Sequence, residues 1–411
     1  MVVFTENSFL HLRNEYFNAY FNMINKIKEL VENIFDDVVE IRRHMHKNPE
    51  LSFEEFETST YIKSVLKSWK IPFTEDIADT GVVVLLKGNN PSSKTLALRA
   101  DFDALPIIEL NDVEYCSQNK GVMHACGHDA HTASLLGVVK ILDILRNEWE
   151  GSVKFIFQPA EEQYPGGAQQ MIKEGVLENP KVQKIFGQHV FPDLEVGQVG
   201  FCAGKYMASA DELQITITGS GGHAALPETY NNPIIGAAKL IVSLEDYFLP
   251  FRNIPSVFAI GFIEGHGYCN VIPDKVELKG TFRTIDEEFR DLAHLKMKEI
   301  ANKLTEEYNL DINFEICRGY PSLYNNEFLT NQSITYAKEY LGSKNVVDLS
   351  LRMTAEDFAY YCYEVPSCFY RLGTANISKG ITHGLHTARF DIDEDALKIG
   401  MGLMAYLAIK S

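Results

Sequence analysis

The chain has 411 residues, 45% of them apolar and 23% charged, the make-up of a soluble globular protein of about two or three domains. That composition excludes a collagen-like fibre, a disulfide scaffold and a disordered tail. Its 56 Asp and Glu against 38 Lys and Arg leave a net charge of −18, so nucleic acid and anionic lipid are poor partners and an anionic substrate needs a local positive group.

Residues 1–33 form an extension in which Phe17, Tyr20, Phe21, Ile24, Ile27 and Leu30 recur at helical spacing, and this helix is expected to run on into the next. Residues 36–69 are again helical in pattern, interrupted at Asn48-Pro49. Strands are predicted over 81–86, 95–100, 153–157 and 184–190, and helices over 130–145 and 168–173. That alternation predicts an α/β fold with a mixed, mostly parallel sheet flanked by helices. The pattern changes near residue 205. Strands over 213–219, 256–263, 275–283 and 311–317 and helices over 232–248 and 287–308 follow in the order β-α-β-β-α-β, a ferredoxin-like sandwich. The expected organisation is an extension (1–33), a first part of the large domain (34–205), an inserted α+β domain (206–317) and a second part of the large domain (318–411). The seven cysteines include no CxxC pair, no uncharged run reaches the roughly 18 residues that span a bilayer, and the start lacks a secretory pattern, so a cytoplasmic protein is expected.

Chemistry concentrates at the predicted strand ends. In His124-Ala125-Cys126-Gly127-His128-Asp129-Ala130-His131, residues two apart point the same way if extended, so Cys126 and His128 can face one ion. A thiolate and an imidazole suit a zinc-like metal. Asp129 stands where an N-cap would begin the next helix. The competing reading is a cap with two incidental histidines. Gln158-Pro159-Ala160-Glu161-Glu162 follows a strand, where ligands collect in a parallel sheet. Its two carboxylates can divide labour between metal and proton, or simply line a solvated loop. His189 ends a further strand, and His383-Gly384-Leu385-His386 lies near the C terminus. Cys126, His128, Glu162 and His189 fall at strand ends or a helix start in consecutive α/β units, which favours a shared site. His131, one helical turn from His128, is expected to support the site rather than bind metal.

In order along the chain stand RRHMHKNPELSFEE (42–55), ALRADFDALPI (97–107), HACGHDAHTA (124–133), FQPAEE (157–162), GQHV (187–190), GGHAALPE (221–228), NVIPD (270–274), GTFRT (280–284), AEDFAYY (355–361) and LHTARFDIDE (385–394). With these segments the sequence resembles the dinuclear metallo-amidohydrolases of the aminoacylase–carboxypeptidase family, which include hippurate hydrolase, the indoleacetyl-amino-acid hydrolases and N-acetyldiaminopimelate deacetylase. The resemblance covers about residues 36–410. It implies a metallopeptidase-like catalytic domain, with an inserted domain through which a homodimer forms. It implies that Cys126, His128, Glu162, His189 and His386 hold two divalent ions (zinc, manganese, cobalt or nickel), that the Cys126 thiolate bridges them, and that Glu161 is the general base. By the same resemblance Asp101 orients a ligand. It also implies that His223 reaches the partner subunit's active site and helps stabilise the oxyanion, that Asn270 binds substrate, and that Arg283 holds the substrate carboxylate. Where relatives often carry Gly and Pro, this chain has Thr354 and Ala388, which bears on pocket shape rather than catalysis.

The implied function is hydrolysis of a small-molecule N-acyl amino acid by metal-activated water, in the manner of hippurate hydrolase. A dipeptidase or carboxypeptidase with the same site is the nearest alternative. A non-catalytic, metal-stabilised binding protein is the alternative of another class, and Glu161 beside Glu162 argues against it.

Overall fold

The structure is a computed structural model describing residues 6–251 and 253–411, with side chains from residue 22 onward. Helix α1 (Glu6–Lys47) runs unbroken, so the backbone has no boundary near residue 33. Of its expected stripe, Phe17, Tyr20 and Phe21 lie outside the described side chains, Ile24 and Leu30 are half-buried and Ile27 is buried in the core, which Val31 and Ile34 join further along the helix. The helix ends before Asn48-Pro49, since a proline disfavours helical backbone at the residue preceding it. Among the described residues no helix is long and apolar enough to cross a membrane.

By internal contacts the chain divides into two units. The larger comprises the chain through Ala203, Asn325–Leu349 and Tyr361–Ser411; the smaller comprises Gly204–Tyr324 and Ser350–Tyr360. Residues 318–324 and 350–360 thus group with the smaller unit, although the sequence reading put all of 318–411 in the larger one. For 350–360 the reason is backbone pairing. Ala208 N–H donates to the Arg352 and Thr354 carbonyls, and Arg352 N–H donates to the Tyr206 carbonyl. Such long-range pairing leaves no periodicity to read.

The larger unit is built on β1 (Phe73–Ile77), β2 (Gly81–Lys87), β3 (Thr95–Asp101), β4 (Ser152–Gln158), β5 (Lys184–Glu195) and β6 (Val199–Phe201), with Val346–Asp348 and Ser367–Ala375. Its eight-stranded sheet has the order β1, β2, β4, β3, β5, Ser367–Ala375, β6, Val346–Asp348. Pairing is parallel from β4 through β3 and β5 to Ser367–Ala375, and antiparallel at β1/β2 and β2/β4. Every residue of β3, β4 and Ser367–Ala375 is buried, as continuous apolar strands in a sheet covered on both faces require. Helices α2 (Phe56–Ser68) and α3 (His128–Ile144) belong to this unit. The carboxyl ends of β3, β4 and β5 therefore lie side by side.

The smaller unit is an antiparallel sheet in the order Ser256–Glu264, Lys275–Thr284, Asp211–Thr218, Asp311–Arg318, with the helices Pro233–Phe248 and Glu287–Tyr308. This is the ferredoxin-like order. Leu213, Ile215 and Ile217 alternate inward from the central strand onto Leu240, Leu244, Phe289 and Met297 of the helices. Ser256–Glu264 is an edge strand whose Val257, Phe262 and Ile263 are exposed.

Candidate metal centre

Helix α3 begins at His128, immediately after Gly127, whose φ is +79°. A Cβ there would also come within 2.5 Å of the Val190 side chain, so both conformation and space demand glycine. This close approach sets Cys126 and His128 against His189, the neighbour of Val190. Asp129 makes no cap: Gly127 holds the N-cap position, and the Asp129 carboxylate turns instead to Arg42 (2.8 Å) and His46 (2.8 Å). The last donor arrives from far along the chain. His386 N–H donates to the Ala125 carbonyl (2.8 Å), which fixes that residue beside Cys126.

The structure brings six expected residues together, all in the larger unit. Cys126 Sγ lies 3.4 Å from His189 Nε2 and 3.3 Å from His386 Nε2. Glu162 Oε1 lies 3.2 Å from His386 Nε2 and 3.9 Å from His128 Nε2. Three sets (Cys126, His128 and His189; Cys126, Glu162 and His386; His128, Glu161 and Glu162) each offer ligand atoms within 4.8 Å of one another. Two of these sets share Cys126, and two share His128.

The rings are already oriented. His189 Nδ1 donates to the Val190 carbonyl (2.8 Å), and His128 Nδ1 bonds Asp103 Oδ1 (3.0 Å), so both turn Nε2 inward. His128 Nε2 is buried without a hydrogen-bond partner, its nearest carboxylate oxygens 3.8 and 3.9 Å away. Such orphans are uncommon in native interiors and call for an ion or water. Charge points the same way. Burial, then Glu162, Glu161 and Asp101, push the Cys126 thiol well above its ordinary range. Burial works to lower His128, yet Asp101, Asp103 and Glu162 outweigh it and raise that imidazole to about 10. His189 is held well below the ordinary imidazole value, by burial first and then by Arg371. The cluster thus collects acidic groups around a buried space that favours positive charge. Sulfur, nitrogen and oxygen donors so arranged fit divalent cations.

The orienting part expected of Asp101 falls to Asp103. The hydrogen bond orienting His128 comes from Asp103, whose Oδ2 also accepts from Ser52 Oγ (2.6 Å) and Glu162 N–H (2.9 Å). Asp101 sits 3.8 Å from His128 Nε2 and bonds His131 Nδ1 (2.6 Å) and Arg99 (2.6 Å). His131 Nε2 accepts from Val190 N–H (2.9 Å), which leaves the ring proton on Nδ1 for Asp101. His131 therefore supports the site, with both nitrogens engaged. Asp103 was overlooked although it stands two residues from Asp101, a spacing that aims both the same way in extended chain.

The remaining candidates belong to the smaller unit. His223 pairs with Val271 in a two-stranded ribbon, and Ala224 N–H donates to the Asn270 carbonyl (3.0 Å), so His223 and Asn270 lie on adjoining stretches of backbone. His223 Nδ1 accepts from Ala225 N–H (3.1 Å), which places its proton on Nε2. Arg283 lies apart on Lys275–Thr284, half-buried, with Nη1 donating to the Met353 carbonyl (3.1 Å).

Behind the cluster runs a network that the sequence did not disclose. His46 joins Asp129 to Glu109 (3.1 Å), and the buried Arg42 guanidinium joins Asp129 to Asp391 (2.6 Å). Burial works to raise Glu109, but His46, Ser117 N–H and Asn111 hold it near 2, against 4.5 ordinarily. A depressed carboxyl contributes stability that is complete above its unfolded value and disappears as pH falls toward the folded one. The urea midpoint of the protein should therefore drop between about pH 4.5 and 2. In Glu109→Gln this part of the decline should be shallower. Parallel pH profiles for the two proteins would show that Glu109 is not held by His46 in this way.

A family model described as peptidase family M20/M25/M40 matches residues 97–410. The N-acetyl-L-cysteine deacetylase of Bacillus subtilis is 38% identical over 364 residues, covering 88% of this chain and 84% of that protein. Thermostable carboxypeptidase 2 of Saccharolobus solfataricus is 36% identical over 396 residues, covering 95% and 99%. Among solved structures, the Bacillus subtilis YXEP protein, described as a dinuclear metal binding peptidase, is similar with a TM-score of 0.80 and 34% identity, covering 92% of this chain and 98% of that one.

Proposed function

The chain belongs to peptidase family M20/M25/M40, a family of amide- and peptide-bond hydrolases, and on that premise we propose that it hydrolyses N-acyl amino acids to a carboxylic acid and a free amino acid. The convergence of Cys126, His128, Glu162, His189 and His386 beside Glu161 carries this reading. Those five residues would hold two divalent ions of the zinc, manganese, cobalt or nickel type, Cys126 as a thiolate donor, a reading that the overlap of their donor sets supports. Bound divalent ions supply Lewis acidity and ease the ionisation of water at neutral pH.

The chain's own groups do the rest. Glu161, buried at the carboxyl end of β4, accepts the proton of the attacking water and returns it to the departing nitrogen. Its neighbour Glu162 is tethered through the backbone to Asp103, which sets the direction of the pair. His223, with its proton on Nε2, donates to the tetrahedral oxyanion, and Asn270 binds substrate. Arg283 keeps guanidinium donors for a carboxylate, and a planar fork suits the α-carboxylate of an amino acid. The exposed apolar residues of the edge strand Ser256–Glu264 support a homodimer, in which His223 serves the partner's active site. All seven cysteines are unpaired, in keeping with the cytoplasm.

A second reading, cleavage of C-terminal peptide bonds, is favoured by the likeness to the Saccharolobus carboxypeptidase. Protein stripped of metal, reloaded with each ion in turn, and assayed on N-acetyl and N-benzoyl amino acids beside dipeptides and longer peptides separates the two. Higher kcat/KM on the acyl amino acids is expected. Preference for substrates with a free amino terminus would replace this reading with that of a peptidase.

A further inference from the structure

The turn Leu51–Glu55, which leads into helix α2, reaches under the loop that carries the two glutamates. Glu55 occupies the N-cap position of α2, yet its side chain caps nothing there. A carboxylate at that position ordinarily accepts from the first N–H groups of its own helix. Glu50 takes over that duty, accepting from Glu57 N–H (3.1 Å) and Thr58 N–H (2.7 Å). The Glu55 carboxylate is fully buried. Its Oε1 accepts from Ala160 N–H (2.8 Å) and its Oε2 from Thr80 Oγ1 (3.2 Å).

Ala160 has φ +52°, a conformation that side chains other than glycine rarely adopt and that persists only where its surroundings hold it. Its carbonyl accepts from Gly167 N–H (2.9 Å), at a position where any Cβ would strike the Pro159 carbonyl. On the far side of Glu161, Glu162 N–H is held by Asp103, which Ser52 in turn holds. One short turn therefore anchors the loop on both sides of Glu161: Ser52 through Asp103, and Glu55 directly.

We propose that Glu55 is a positioning residue that fixes Ala160 in its left-handed conformation and so aims the Glu161 carboxylate; this rests on the reading of Glu161 as the general base. Either protonation state leaves Oε1 able to accept, so the role requires the acceptor and not the charge. Burial and the nearby Asp103 raise Glu55 to about 7, and an acid retained at such a position is consistent with a function beyond packing.

The test compares Glu55→Gln, Glu55→Asp and Glu55→Leu in the full chain. Glutamine keeps an acceptor at the same reach, with Thr80 Oγ1 turning to accept from its amide. Aspartate keeps the acid but withdraws the acceptor. Hydrogen exchange at the Ala160 amide in metal-free protein should quicken by about tenfold or more in the Asp and Leu variants and stay as in the unaltered protein in Gln. With metal restored, kcat of the Asp and Leu variants should fall by about 10²-fold, as a small misplacement of a reacting group produces, with KM and metal content unchanged. The Gln variant should keep its kcat. If the Leu variant does not fold, the Asp and Gln pair decides. Unaltered exchange and kcat in Asp, or a loss in Gln as large as in Asp, overturns the proposal. Absence of hydrolase activity in the unaltered protein would count against the proposed reaction, whereas the exchange measurement would still decide what Glu55 holds.

Discussion

Glu161→Gln is expected to retain the metal content of the unaltered protein while kcat falls by about 10²–10⁴-fold, the usual worth of a positioned acid–base group. The substitution changes one oxygen to an amide nitrogen and leaves volume and reach alone, so the fold should be undisturbed. Glutamine cannot accept a proton from water or return one to the departing amine. The set of Cys126, His128 and His189 and the set of Cys126, Glu162 and His386 are both complete without Glu161. Its loss should therefore leave the cage intact. Metal analysis and steady-state kinetics on the same preparation check both halves. A Gln variant with near-normal kcat would remove Glu161 as the base, and one that had shed its metal would make it a ligand instead.

Cys126→Ala should have the opposite signature, with loss of metal first and of activity as a consequence. Its sulfur touches both His189 and His386, so no other side chain can replace it without moving. Ions that bind only the folded chain stabilise it by about 4 kcal/mol at a concentration 1,000-fold above Kd. The unaltered protein should accordingly show a large rise in Tm on adding metal, and the variant little or none. Binding should also release protons. His128, held near 10, and the Cys126 thiol must both give theirs up to become ligands, so apparent affinity rises with pH. Full metal content in Cys126→Ala, or an affinity indifferent to pH, would contradict this account of the centre.

Much of the architecture was readable because strand and helix periods are local properties. Runs such as residues 95–100 and 153–157 declare buried strands, and consecutive α/β units put His128, Glu162 and His189 where ligands gather. What escaped depends on partners remote in sequence. Asp103 receives Ser52 from 51 residues away, and Glu55 reaches Ala160 across 105. No spacing rule encodes such pairs, since each exists only after the sheet has formed. Asp129 misled for a related reason. It has the composition of a cap, but the left-handed Gly127 already starts the helix, which frees that carboxylate for Arg42 and His46. The placement of residues 350–360 was likewise invisible, because it rests on backbone hydrogen bonds that any side chain permits.

The donors differ in how they meet the solvent. Cys126, His128 and His189 are buried, whereas the His386 side chain is 52% exposed. The proposed cage is thus open to bulk water on the His386 side. With ions held as proposed, a departing cation would break with His386 first and with the three interior donors last, so this imidazole would govern how fast the centre loads and empties, while the others would govern how tightly it holds.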